Sequence, residues 1–217
     1  KMKKGDEKMD NAFNTPVQVL DANMNAGEGK AKLPILKCIL LGIMAGAFIA
    51  FGGASSNAAV HNIANQGLSK TLAGCIFPVG LMMIVFVGGE LFTGDCLMIA
   101  GVVDKRFSAM AMIKTLVIVF FSNMVGAVLI ATLVYFSGLL DYTNGALGAF
   151  TIKVAYGKAT ITPFKAICSG ILCNILVCMA VLMATAAKDI VGKVWAIFFP
   201  ICAFVIGGWE HCVANMF

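Results

Sequence analysis

Residues 88–95 read Gly88-Gly89-Glu90-Leu91-Phe92-Thr93-Gly94-Asp95, and residues 207–215 read Gly207-Gly208-Trp209-Glu210-His211-Cys212-Val213-Ala214-Asn215. Each stretch follows an apolar run that holds a proline, Pro78 in the first and Pro200 in the second. Each then has a Gly-Gly pair, an acidic residue and further polar groups, and from Gly88 to Gly207 is 119 residues. Gly-Gly weakens a helix and admits backbone conformations that other residues avoid. In the hydrocarbon of a bilayer every backbone polar group needs a partner, so a broken helix survives only where protein or a water-filled cavity lines it. Two such breaks in corresponding places of two halves are the sequence pattern of a solute path through a membrane. Glu90, Glu210 and His211, placed at membrane depth, are therefore functional candidates by default.

The rest of the chain suits a bilayer. It has 217 residues, of which 60% are apolar and 12% charged, and its mean hydropathy is +0.92. A soluble domain carries about 25% charged residues, so disorder, a collagen-like chain and nearly any soluble globular fold are excluded. No Asp, Glu, Lys or Arg occurs over 38–69, 71–89, 115–140, 166–187 or 194–209. A helix crosses the hydrocarbon core with about 20 apolar residues. Spans are expected near 35–60, 108–137 and 163–187, with 71–103 and 194–217 as the two interrupted segments. The fold class is an all-α, polytopic membrane helical bundle.

Ahead of a channel domain over 35–217 lies a polar arm over 1–34. Residues 1–12 read as an unstructured tail. Asn14-Thr15-Pro16 marks a helix start, a capping side chain followed by proline in the first turn. Val17, Leu20 and Met24 then fall on one helical face, which predicts an amphipathic helix lying on the membrane surface. Orientation follows from the cations. With the N-terminus cytoplasmic, Lys1, Lys3, Lys4, Lys8, Lys30, Lys32, Lys37, Lys105, Arg106, Lys114, Lys188 and Lys193 are inside, against Lys70, Lys153, Lys158 and Lys165 outside. The positive-inside rule favours that arrangement. It accounts for the net charge of +5 without a nucleic-acid partner, because the cations do not cluster with aromatics on a soluble face.

The eight cysteines form no CxxC motif and read as small buried apolar residues. No metal site or cofactor is implied. Gly42 with Gly46, Ser122 with Gly126, and Ala180 with Ala184 are notches for close helix packing. Asn123 reads as a bond between helices, and His61 as a wet residue of an outer loop.

Several motifs carry a resemblance. They are Glu90-Leu91-Phe92-Thr93-Gly94, Ser122-Asn123-Met124-Val125-Gly126, Ile171-Leu172-Cys173-Asn174 and Glu210-His211-Cys212-Val213-Ala214-Asn215-Met216-Phe217, with Phe13-Asn14-Thr15-Pro16 in the arm. In order and over essentially the whole chain, the sequence resembles the formate/nitrite transporter family, which also includes hydrosulfide channels. The resemblance implies an aquaporin-like inverted repeat with two broken helices, and a homopentamer with one pore per protomer. It implies a multi-pass protein of the cell's inner (plasma) membrane and no enzymatic activity.

The resemblance also assigns residues. Leu81, Leu91 and Phe92 fall at a cytoplasmic constriction and Phe204 at a periplasmic one. Thr93 falls on the loop that breaks the second segment, and His211 matches a central pore histidine. Lys158, with Asn174 and Glu210, matches a buried polar group beside the pore. Gly88, Gly89, Gly207 and Gly208 are the loop hinges. Read without the resemblance, Leu81, Leu91, Phe92 and Phe204 are ordinary packing and Lys158 is a solvated outer-loop lysine. The expected function is passage of small weak-acid anions of the formate, nitrite and hydrosulfide class, with His211 assisting protonation. The alternative is an aquaporin-like channel for neutral solutes, which typically carries Asn-Pro-Ala in its half-helices; this chain has none. Six spans are expected and about five are present. Carrying the repeat onto its second half leaves the end of the broken helix and one span without counterpart, so the expectation is a shortened form of a protein of about 260 residues.

Overall fold

A computed structural model describes residues 12–217; the start of the arm, with Lys1, Lys3, Lys4 and Lys8, lies outside the described residues. Helix α1 runs Pro16–Ala31, α2 Ile35–Val60, α3 Gln66–Ile76 and α4 Val79–Val87. After the first break come α5 Phe92–Asp95, one 3-10 turn, and α6 Ile99–Val103. Then follow α7 Ala109–Phe136, α8 Ala146–Ala159, α9 Pro163–Ala186 and α10 Ile190–Gly207. A last 3-10 turn covers Ala214–Met216. Among the described residues five stretches are long and apolar enough to cross a membrane: α2, α3 with α4, α7, α9 and α10. The spans expected over 35–60, 108–137 and 163–187 match α2, α7 and α9 to within a residue, because hydrocarbon accepts only long uncharged runs.

Two notches decide how the bundle closes. α2 packs along α7 as closely as backbone allows. A Cβ at Gly46 would stand 2.0 Å from the Asn123 carbonyl oxygen, and one at Gly126 would stand 1.9 Å from the Ile43 carbonyl oxygen. Membrane helices gain little from the hydrophobic effect against one another, so this backbone contact is what holds the pair. On the other side α10 packs against α9 and α3.

Both breaks are made by glycine. Gly88 has φ 105° and Gly208 has φ 69°, a region where a side chain is strained. The freed backbone groups find partners, as a low-dielectric surrounding demands. Asn123 of α7 is fully buried and serves two of them, and ties them to the Gly42 carbonyl of α2. Its Nδ2 donates to the Gly42 and Glu90 carbonyls at 2.8 Å each, and its Oδ1 accepts from the Phe92 N–H at 3.0 Å. The Glu90 N–H donates to the Leu41 carbonyl of α2 at 3.1 Å. At the second break the Glu210 N–H donates to Ser169 Oγ of α9 at 2.9 Å.

Asn123→Leu keeps the shape and removes all three bonds, each buried orphan costing about 1–3 kcal/mol. The expected result is a markedly lower melting temperature in detergent, with faster hydrogen exchange over 88–92 measured by mass spectrometry.

The arm differs from expectation. Thr15 caps α1 in a reciprocal box with Gln18, and Pro16 opens the helix, as read from the sequence. The face that docks is another one. Val17 is 78% exposed, whereas Val19 and Gly27 are buried, and α1 lies against α6, α7 and α9. Polar contacts outweigh the apolar stripe of Val17, Leu20 and Met24. Asn14 donates from its N–H to the Ala186 carbonyl and from Nδ2 to the Thr185 carbonyl, both at 2.8 Å. Arg106 donates to Asp21 and Asn25. Lys30 pairs with Glu90 and Asp95. Burial works against the Lys30 charge, but the Asp95 and Glu90 carboxylates outweigh it and hold the ammonium above the ordinary lysine range. α1 is thus a plug fastened over one face of the bundle.

Two smaller expectations also change. His61 is no free loop residue: it caps α2, and its ring bonds the Ala58 carbonyl at 2.8 Å and Thr143 Oγ1 at 2.9 Å. The cysteines are all free, but only Cys38 and Cys173 are buried, while Cys75 and Cys168 face outward.

Candidate functional site

The two breaks meet at their polar residues. Thr93, in the first turn after the first break, and His211, in the loop of the second, are 118 residues apart in sequence, and Thr93 Oγ1 stands 3.2 Å from His211 Nε2. Both are buried. The Ala214 N–H donates to His211 Nδ1 at 3.1 Å. A backbone N–H can only donate, so Nδ1 accepts and carries no proton. The hydrogen-bond network thereby assigns the ring proton to Nε2, facing Thr93. The imidazole also lies 5.7 Å from the Phe204 ring, centroid to centroid.

A cavity lies on either side of this pair. On the α1 face is one of about 290 Å³, lined by Leu81, Leu91, Lys30, Asp95 and Asn23 among others. On the opposite face is one of about 420 Å³, lined by Phe77, Phe204, Lys158, Trp209, His211 and Asn215 among others. Leu81, Leu91 and Phe204 are each 3% exposed; the two leucines line the first cavity, whereas His211 lines the second together with Phe204.

The polar group beside the site differs from its expected membership. Lys158 Nζ donates to both carboxylate oxygens of Glu210, at 2.9 and 2.8 Å. The third member is Asn215, whose Nδ2 donates to Glu210 Oε2 at 2.8 Å. Asn174 does not join them; its Oδ1 is buried without a partner among the described residues. Phe92 packs edge-on against Phe120 of α7 with ring centroids 5.2 Å apart, and with Asn174 it lines a further cavity of about 530 Å³ that Thr93, Glu210 and His211 also line. Lys158 is no loop residue but lies in the last turn of α8, a helix the sequence reading did not anticipate. Lys153 and Lys158 leave it no uncharged run long enough to read as a span.

Two contributors were missed altogether. Phe77 packs edge to face on Phe204, at 5.6 Å and 86°, and extends the apolar barrier with a ring from the other half of the chain. Its signal was the adjacent Pro78, which turns α3 into α4. Lys30 was counted only as an inside charge; nothing local distinguishes it from Lys32, which stays at the surface and pairs with Glu28. The backbone N–H groups at the two breaks are not all open to an anion. The Phe92 N–H is taken by Asn123 and the Ala214 N–H by His211.

The comparisons with known proteins agree with this geometry. The model of the Formate/nitrite transporter family matches residues 17–217. A "Probable formate transporter" of Methanothermobacter thermautotrophicus is 41% identical, over 96% of this chain and 83% of its own length. The "Formate channel FocA" of Haemophilus influenzae is 38% identical, over 97% of this chain and 75% of its own. Among solved structures, an "FNT family ion channel" superposes with a TM-score of 0.84 at 28% identity, covering 92% of this chain and 80% of that one. A "Pentameric formate channel with formate bound" gives 0.75 at 30% identity, covering 84% of this chain and 72% of that one. Paired broken helices, a buried histidine–threonine contact between two apolar barriers, and this likeness along nearly the whole chain lead to one conclusion: the chain belongs to the formate/nitrite transporter family, whose members are membrane transporters and channels.

Proposed function

We propose that this protein passes small monovalent anions of weak acids, formate first among them, through a pore in each protomer, with nitrite and hydrosulfide in the same class. The observation that carries the reading is the buried His211–Thr93 contact, with Leu81 and Leu91 lining a cavity on the α1 face and Phe77 and Phe204 lining, with His211, the cavity on the other. A homopentamer in the inner membrane, with α1 in the cytoplasm, is supported by the likeness to a pentameric formate channel and by the distribution of lysines.

The mechanism follows from solvation. A charge at membrane depth is penalised by roughly 2.5–3.5 kcal/mol or more, so a bare strong-acid ion such as chloride is stopped at the apolar rings. A weak-acid anion has another route. As water is stripped from it, its neutral form gains favour, since a low-dielectric surrounding disfavours charge. At the centre the Nε2–H of His211 donates a hydrogen bond to it in place of the one given to Thr93, sharing a proton without leaving a charge on the ring. The Ala214 N–H holds the ring in the donating tautomer throughout. A proton that the anion takes from water as it enters the first barrier is returned to water beyond the second, and the His211 proton stays on Nε2 throughout.

A solute panel in proteoliposomes tests the class. Formate, nitrite and hydrosulfide should enter at rates far above protein-free vesicles, with water and glycerol swelling unchanged. Glycerol entry without formate entry would instead establish a neutral-solute channel.

A further inference from the structure

We infer that Lys70 gathers anions at the mouth of the cavity on the face opposite α1, a task that Lys158, held by Glu210, does not perform. The inference rests on the pore reading above and names the residue that serves this mouth.

Lys70, Ala73 and Phe77 fall at i, i+3 and i+7 along α3 and its cap, on one side of a helix. Ala73 and Phe77 both line the cavity of about 420 Å³, and Phe77 packs on Phe204 at the apolar barrier. Lys70 stands on the same side, seven residues before Phe77, or about 10 Å further out at the rise of a helix. The second break forms the facing wall. Gly208 and Trp209 also line the cavity, and a Cβ at Gly208 would stand 3.4 Å from Lys70 Nζ. The ammonium therefore lies on the rim, between α3 and the second break. Gly208 caps the C-terminus of α10, where the helix dipole favours a cation, so the ammonium is kept there without a carboxylate.

The charge at this rim is unbalanced. α2, α3, α8 and α10, which all contribute to the cavity wall, contain no Asp or Glu. Glu210 of the break is matched by Lys158. Among the described residues no carboxylate pairs with Lys70. A cation at the mouth of a cleft with low-dielectric walls raises the local concentration of anions. Lys70 is exposed, so salt screens its pull. The ligand it suits is a small monovalent anion, loosely held before the Phe77–Phe204 barrier.

The experiment labels Lys70→Cys in detergent with a methanethiosulfonate bearing either a sulfonate or a trimethylammonium group, with wild type treated alike as the control for native cysteines. Exchange of isotope-labelled formate is then followed in proteoliposomes with equal formate on both sides, so that the orientation of the channel does not matter. The sulfonate adduct should need about tenfold more formate for half-maximal exchange than the trimethylammonium adduct, at the low end of what electrostatic focusing contributes. Salt at about 1 M, where the Debye length is about 3 Å, should remove most of that difference. Complete labelling by intact mass with half-saturation indifferent to the sign of the label would overturn the inference and leave Lys70 as a partner of the α10 terminus alone. Unlabelled wild type gives a second test that needs no variant: its half-saturating formate should rise with salt, and a value unchanged between low and high salt would also overturn the inference. A wild-type channel that passes no formate at all would remove the pore reading itself, and this role with it.

Discussion

Gly126→Val is expected to yield no folded channel. The valine Cβ would enter at 1.9 Å from the Ile43 carbonyl oxygen and 2.8 Å from the Ala47 backbone nitrogen. Both are backbone atoms of α2, so no side chain can swing away to make room. Overpacking a core costs about 1–3 kcal/mol when neighbours can shift; here two helices must part along their length. Parting them also pulls Asn123, three residues before Gly126, off the carbonyls of Gly42 and Glu90 and the N–H of Phe92. The first break then loses its support. Size-exclusion chromatography of detergent extracts should show aggregate or no protein. Gly157→Ala is the matched control. A Cβ there meets nothing within 4 Å, and alanine suits a helix interior better than glycine, so that variant should be folded and at least as stable. A well-folded Gly126→Val protein would show that the α2–α7 contact is looser than described.

Lys158→Glu should lower formate flux about tenfold or more, the effect of about 1.4 kcal/mol of added barrier. A lone lysine beside the path would act by attracting anions. The structure changes the reason. Its ammonium is spent on both oxygens of Glu210, and Glu210 immediately precedes His211 in the break. On the proposed function, the lysine keeps a carboxylate beside the path from repelling the anion. Replacing it with glutamate puts two carboxylates together in the wall of the outer cavity. The charge-reversed double variant, Lys158→Glu with Glu210→Lys, restores a neutral pair and should recover part of the flux. Recovery is the readout that separates charge neutralisation from attraction, since the double variant keeps the net charge and moves the cation. No loss in the single variant would remove the role altogether.

The legibility of this protein in its sequence follows from what each feature depends on. α2, α7 and α9 were readable because hydrocarbon tolerates no charge along a span, and an uncharged run can be seen residue by residue. The breaks were readable because Gly88 and Gly208 must adopt positive φ, and few residues other than glycine do. The meeting of Thr93 with His211 was not readable from spacing, since it joins two loops from opposite halves; only the resemblance pointed there. Lys30 and Phe77 were invisible for the same reason. Each is ordinary in its local sequence and takes its meaning from partners far along the chain. In α1 the helix start and the exposed stripe of Val17 and Leu20 were readable, whereas the ties that Asn14, Asp21 and Lys30 make to the bundle were not, because their partners lie far along the chain.

The central claim is that weak-acid anions pass because the donor at His211 and their own affinity for a proton replace the water they leave behind. Stopped-flow uptake of formate and of chloride into proteoliposomes, for wild type and for His211→Ala at equal protein content, tests it most directly. Wild type should pass formate and exclude chloride, and His211→Ala should lose formate flux while remaining folded and still excluding chloride. Formate uptake unchanged in His211→Ala, or chloride passing as fast as formate in wild type, would contradict the account.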